Sequence, residues 1–266
     1  MYPILFQLGS FQLRSYGVIV VLSFLLAIWL SKREAKRKGL DSALIENYSS
    51  YALLGGIVGA RIYFVVFSDP AYFLSRPWEI LAIWHGGLGI IGALFGGILA
   101  ALWYCQKNGL SFWQLADTLA PGIILGQAAG ILACLANGDS YGSPTELAWA
   151  ITYVDPRAMA PLNVPLHPVE IYEIVAYLLV FLLVWRVRAK STINGYVFLT
   201  YMAGYGVARF IVEIFRGNPA IITGNIPAAQ AFGIALLLFA MVGIFVRRSR
   251  SNQARLVDLP GTHDIS

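Results

Sequence analysis

Seven long apolar stretches separated by short polar connections constrain this chain more than any single residue does. They run over 15–31, 48–67, 80–104, 113–136, 168–187, 195–214 and 228–246. A helix needs ~20 mostly apolar residues to cross a bilayer, and each stretch meets or approaches that length. The chain is 58% hydrophobic and 12% charged, with a mean hydropathy of +0.67. A soluble domain typically carries about twice that charged fraction. Barrel strands would instead show ~10-residue alternation of lipid-facing and lumen-facing residues. The pattern predicts an all-α, polytopic integral membrane protein of seven transmembrane helices.

The basic residues predict its orientation. Lys32, Arg33, Lys36, Arg37 and Lys38 follow the first stretch, and Lys107 follows the third. Arg186, Arg188 and Lys190 follow the fifth, and Arg247, Arg248, Arg250 and Arg255 the seventh. Thirteen of the 19 Lys and Arg thus fall on one side, which the positive-inside rule makes cytoplasmic. The N-terminus is then outside and the C-terminus inside. A nucleic-acid surface would gather its charge on one patch rather than after alternate spans, so the net charge of +5 implies no nucleic-acid partner. The first stretch lacks a preceding basic region and a small-residue cleavage site, and reads as a retained span. Cys105 and Cys134 lie in or at the edge of spans, where cysteine behaves as a small apolar residue.

Residues 1–246 read as one membrane domain and 247–266 as a polar cytoplasmic tail that frays. The 137–166 connection, rich in Pro, Gly, Asn and Asp and carrying Trp149 and Tyr153, reads as an interfacial loop on the external side.

Ionisable residues within a span cost ~2.5–3.5 kcal/mol each at its centre and normally face protein, water or ligand. Arg61 follows Gly55, Gly56, Gly59 and Ala60. Small residues permit close helix approach, with Arg61 pointing inward; a snorkelling Arg near the interface is the other reading. Trp84-His85-Gly86-Gly87-Leu88-Gly89 opens the third stretch, followed by Gly92, Gly96 and Gly97. Those glycines serve either helix packing or a broken element lining a cavity.

Pro168 suits a helix start, which places His167 at the cap of the fifth span, with Tyr172 and Glu173 inside. Glu170 and Glu173 share a face; they either serve the helix dipole or the chemistry. Arg209, Glu213 and Arg216, spaced four and three apart, lie along one face at the end of the sixth span. The set is either an ion pair neutralising buried charge or a cationic cradle oriented by Glu213. A guanidinium binds two phosphate oxygens at once, so the cradle's ligand would be a phosphate-bearing lipid headgroup. The histidines, His85, His167 and His263, have no paired ligand spacing, so no metal or other cofactor is expected.

Taken in order, these pieces resemble the prolipoprotein diacylglyceryl transferase family. The matching residues are Tyr16-Gly17, Gly59-Ala60-Arg61, Ile83-Trp84-His85-Gly86-Gly87-Leu88 and Asn137-Gly138-Asp139-Ser140-Tyr141-Gly142. They continue with His167-Pro168, Tyr172-Glu173 and Arg209-x-x-x-Glu213-x-x-Arg216, and cover about residues 14–220. The resemblance implies a multi-pass bacterial cytoplasmic-membrane enzyme with its site toward the external leaflet. Such an enzyme transfers the diacylglyceryl group of phosphatidylglycerol to the lipobox cysteine of exported prolipoproteins and releases glycerol phosphate. It implies catalytic roles for Arg209, Glu213, His167 and Tyr16. Arg61, His85, Gly86, Gly87, Asn137, Gly138, Asp139, Gly142, Tyr172, Glu173 and Arg216 would bind substrate.

The chain departs from the family at two positions. Ile131 stands where the family carries Arg, and Ile91 where it commonly carries His. His85 lies six residues from position 91, ~120° around a helix, and is no simple replacement. Two alternatives therefore stay open. One is a catalytically weakened relative that binds phospholipid or prolipoprotein; the other is a membrane transporter.

Overall fold

The computed structural model of the protein describes residues 4–8, 11–222 and 226–257. Its helices are α1 (Ser15–Arg37), α2 (Ala43–Phe67), a short α3 (Pro70–Ser75), α4 (Ile90–Lys107), α5 (Phe112–Asn137), α6 (Val169–Lys190), α7 (Tyr196–Glu213) and α8 (Ala228–Val257). Two antiparallel strand pairs join them: β1 (Ile4–Leu8) with β2 (Phe11–Arg14), and β3 (Ile151–Thr152) with β4 (Pro165–Leu166). Among the described residues five helices are long and apolar enough to cross a membrane: α1, α2, α4, α5 and the Ala228–Ser249 part of α8. The fifth and sixth stretches also form helices, of 22 and 18 residues. Their ionisable residues, Glu170 and Glu173 in α6 and Arg209 and Glu213 in α7, dilute the apolar signal.

The chain divides into two compact units, Lys32–Leu115 on the one hand and Met1–Ser31 with Ala116–Ser266 on the other. In the first unit α2 packs on α4 backbone to backbone. A Cβ at Gly59 would strike the Gly92 carbonyl oxygen, and one at Gly96 the carbonyl oxygen of Gly55. This is the close approach that small residues allow when apolar burial cannot drive helices together.

The third stretch is not helical from residue 80. Short 3-10 turns cover Pro77–Ile80 and Ile83–His85, and α4 begins only at Ile90. Gly86 and Gly87 have φ of +84° and +75°, a region that L side chains avoid and that ends a right-handed helix. Gly92 and Gly96 therefore serve packing, and Gly86 and Gly87 break the approach to the helix. His85 lies before the helix, so the rotational argument against it does not apply. Ile91 sits in the first turn of α4.

In the second unit α5 meets α1 through glycine: a Cβ on Gly122 or Gly126 would collide with Ala27. Gly206 of α7 and Gly233 of α8 touch through their backbones in the same way. The core between α5, α6 and α7 is built on Ile124, Tyr177, Val184 and Tyr201. Asp117 of α5 is buried and accepts from the Gly195 and Phe198 amides at 2.6 and 2.7 Å. It thereby caps α7 from another helix, on amides that would otherwise lack partners. The C-terminal segment is helical through Val257 rather than frayed from Arg247; the rest of the expected tail, with His263, lies outside the described residues.

Candidate active site

The β3–β4 ribbon delivers the chain to α6 in a set orientation. Ile151 pairs with Leu166 and Thr152 with Pro165, and α6 begins three residues after β4. The helix cap is Pro168 rather than the expected His167, and the helix opens at Val169. The cap makes no side-chain hydrogen bond, so the acidic residues of the first turns are free for other partners. Glu170 and Glu173 are both buried. Glu170 meets its own backbone N–H and the distant Tyr153, while Glu173 meets Tyr177 on its own helix and two distant arginines.

Glu173 joins two arginines. Its Oε1 accepts from Arg209 Nη1 at 2.7 Å and its Oε2 from Arg216 Nη2 at 3.2 Å. Glu213 Oε2 lies 3.4 Å from Arg209 Nη2 and 3.0 Å from Arg216 Nε. The four side chains close a ring of alternating charge. Tyr177 adds a hydroxyl, donating to Glu173 Oε1 at 2.5 Å. Side-chain exposure is 18% for Arg209 and 11% for Arg216, against 3% for Glu173 and 2% for Glu213. The guanidiniums are therefore the accessible members and the carboxylates the backing. The ring is formally neutral, not a cationic cradle. Removing one member of such a buried set leaves an uncompensated charge, which is far more destabilising than the intact pair is stabilising.

Arg216 reaches this ring from outside the helix. α7 stops at Glu213, and Arg216 lies in the turn beyond, where it bridges Gly142 as an isolated antiparallel pair. Ser143 N–H donates to Phe215 O at 2.8 Å and Gly217 N–H to Tyr141 O at 3.1 Å. Ser140 Oγ accepts from Arg216 Nη1. No side chain fits at Gly142, where a Cβ would strike His167. The expected Asn137–Gly142 element is thus strapped to the end of α7. Within it Asn137 donates to Asp139 Oδ2 at 3.0 Å, and Asn218 to Asp139 O at 3.3 Å. Gly138 turns the chain at φ +69° over the Tyr153 ring.

Two further contacts connect the 137–166 connection to α6. Tyr153 Oη donates to Glu170 Oε1 at 2.8 Å. Burial and the neighbouring carboxylate hold this phenol well above its ordinary pKa, so it stays a donor. Trp149 Nε1 donates to Tyr172 Oη at 2.8 Å, and that hydroxyl lies 3.3 Å from His167 Nδ1. Phe215 packs against both rings.

Tyr16, in the first turn of α1, is exposed, and Cys134 and Asp139 are near enough to interact with it electrostatically. Ile131 packs against the helix core of the same unit. Sequence reading missed Ser140, Trp149, Tyr153 and Tyr177 as partners. Tyr177 lies one helical turn from Glu173 on α6, a spacing that could have marked the pair, whereas Ser140, Trp149 and Tyr153 meet their partners only through tertiary packing.

In the Lys32–Leu115 unit, Arg61 is 6% exposed and gives every donor to backbone. Nε bonds Ile80 O at 2.9 Å, Nη1 bonds Gly86 O and Gly87 O at 2.6 and 3.0 Å, and Nη2 bonds Ala82 O at 3.3 Å and also Glu79 O. Its guanidinium stacks near Phe64 and Phe73. Arg61 points inward, as one of the two readings held, but it has no donor left for a phosphate. The loop it pins carries His85, whose Nδ1 is 3.0 Å from Glu79 Oε2.

A family model described as prolipoprotein diacylglyceryl transferase matches residues 3–246. Proteins named phosphatidylglycerol–prolipoprotein diacylglyceryl transferase are similar over most of the chain. The one from Oceanobacillus iheyensis is 33% identical over 263 residues, 96% of this chain and 90% of that protein. The one from Synechococcus elongatus is 34% identical over 250 residues, 91% and 86% of the two chains. That from Aromatoleum aromaticum is 37% identical over 221 residues, 80% and 81%.

Proposed function

The chain belongs to the prolipoprotein diacylglyceryl transferase family, and from that membership we propose that it moves the diacylglyceryl group of phosphatidylglycerol onto the lipobox cysteine thiol of prolipoproteins. The single observation that carries the site assignment is the ring of Arg209, Glu173, Arg216 and Glu213, with its guanidiniums on the accessible side. The thiolate attacks the glyceryl carbon, the carbon–oxygen bond to phosphate breaks, and glycerol phosphate leaves with the bonding electrons. Charge grows on the phosphate oxygens as that bond stretches. Planar guanidiniums already oriented by carboxylates stabilise it without reorganising.

Tyr16 and the Asn137, Gly138, Asp139 and Gly142 element position headgroup or peptide, with His167 and Tyr172 beside them. The family resemblance also gives substrate-binding roles to His85, Gly86 and Gly87, which lie on the loop that Arg61 organises. In this reading Arg61 is a positioning residue and Arg209 and Arg216 are the phosphate ligands. Seven spans, an external N-terminus and an active site toward the outer leaflet of the bacterial cytoplasmic membrane complete the proposal. The alternating basic loops support that orientation.

The test is transfer of labelled diacylglycerol from phosphatidylglycerol to a lipobox-cysteine peptide by the purified protein in lipid, with Arg209→Ala as control. Turnover that disappears in the variant supports the proposal and shows that Ile91 and Ile131 are compatible with catalysis. Headgroup binding without turnover would replace it with the catalytically weakened relative.

A further inference from the structure

Trp149, Tyr172 and His167 form a chain of hydrogen bonds whose direction is set at one end. An indole N–H can only donate, so Tyr172 Oη is an acceptor toward Trp149 at 2.8 Å. The phenol keeps one hydrogen of its own. Among the described residues its other hydrogen-bond partner is His167 Nδ1, at 3.3 Å. With its oxygen already accepting from the indole, the phenol places its own hydrogen on Nδ1 in the arrangement that satisfies both bonds with one donor each. Nδ1 then holds a lone pair, and the proton of the neutral imidazole sits on Nε2.

The surroundings keep the three groups in this arrangement. Trp149, two residues before β3, meets Tyr172 in the first turn of α6. His167 N–H donates to Ser143 O at 3.0 Å, and His167 O accepts from Val169 N–H at 2.8 Å, so the residue is held on both sides. The Phe215 ring lies 5.2 Å from the imidazole and 5.5 Å from the phenol, and the next residue is Arg216. His167 thus packs against Gly142, which pairs with Arg216 through the backbone, and with Nδ1 accepting it carries an N–H, not a lone pair, on Nε2.

From this geometry we infer that Tyr172, oriented by Trp149, is a positioning residue that holds His167 as the Nε2–H tautomer, making His167 a hydrogen-bond donor to the lipid phosphate and not the base that takes the thiol proton. The inference rests on the transferase reading for the identity of the ligand. A neutral donor suits this position. The four charged side chains already cancel, so an anion gains most from added N–H groups that need no counter-charge.

The experiment uses full-length protein, labelled with nitrogen-15 histidine, in bilayer discs containing phosphatidylglycerol. The His167 signals are assigned by their loss in His167→Gln. The expected spectrum shows a protonated Nε2 and an unprotonated Nδ1, and Tyr172→Phe should convert it to a mixture of tautomers. A proton on Nδ1, or a spectrum unchanged in both Tyr172→Phe and Trp149→Phe, would overturn the inference. Transfer activity supplies the second readout. Gln keeps an N–H near the Nε2 position but cannot act as a base, and loss of a general base costs about 100-fold or more. His167→Gln should therefore stay within about 10-fold of wild type, while His167→Ala, which removes the donor, falls at least about 100-fold. Equal inactivity of folded Gln and Ala variants would overturn the donor role. If the wild type itself transfers nothing, the transferase reading fails alone, and the nitrogen spectra still decide the tautomer.

Discussion

Arg209 Nη1 and Glu173 Oε1 meet at 2.7 Å across 36 positions of sequence, and this one contact ties α7 to α6 at the centre of the site. The second oxygen of the same carboxylate holds Arg216. Glu173 therefore sets the spacing of the two guanidiniums. Glu213, on the same side of α7, prevents either from rotating away.

The proposed role of the arginines uses the planar fork and not charge alone, so Arg209→Lys should lose at least about 100-fold in transfer, close to the effect of Arg209→Ala. The labelled diacylglycerol assay measures it. A Lys variant with near-normal turnover would show that a point charge suffices.

Glu173→Gln leaves both guanidiniums short of a buried counter-charge. Losing one partner of a buried ion pair costs about 3–5 kcal/mol. Thermal unfolding in lipid discs should show a lower midpoint, with Glu173→Asp between the variant and the wild type. An unshifted midpoint for the Gln variant would mean that the ring contributes nothing to stability.

Gly59→Leu should prevent α2 from packing on α4, because even a Cβ there strikes the Gly92 carbonyl. Gly97 of the same helix pair has nothing within 4 Å of its added Cβ, so Gly97→Ala serves as the tolerated control. The readout is the yield of monodisperse protein after extraction. Equal yields would contradict the backbone contact.

Asp117→Ala removes two hydrogen bonds from the start of α7 and leaves buried amides unpaired, a loss of about 1–3 kcal/mol. Asp117→Asn keeps one acceptor oxygen and should fall between. Denaturant unfolding of the three proteins, compared at constant lipid, checks the order.

Arg61→Lys keeps a positive charge but has three donors on a flexible stem in place of the fork that now bonds five carbonyls. Residues 79–87 should exchange their amide hydrogens faster in the variant, while α6 and α7 keep their protection. Unchanged exchange in 79–87 would remove Arg61 from its role in holding that loop.

The departures from sequence expectation share one origin. The periodicity of α7 put Arg209 and Glu213 on one face, and the structure keeps them there. It ends the helix at Glu213 all the same, because Arg216 finds a β-bridge to Gly142. The spacing of Glu170 and Glu173 correctly placed them on one face of α6. It could not say that one turns to Tyr153 and the other to two arginines. Asp117 carried no motif at all, since its partners are backbone amides 78 and 81 positions away.

By itself the sequence determined the apolar helices, the small residues where helices touch and the ionisable residues too costly to be incidental. These follow from the i to i+4 geometry of a helix and from the solvation of side chains in lipid, both local properties. Tertiary structure alone decided that Glu173 completes the arginine ring, that Arg61 spends its donors on a loop, and that Trp149 reaches Tyr172. Those contacts join segments from 18 to 43 positions apart. Periodicity carries no information at that range, and only the packed chain selects among the partners that charge and hydrogen bonding would allow.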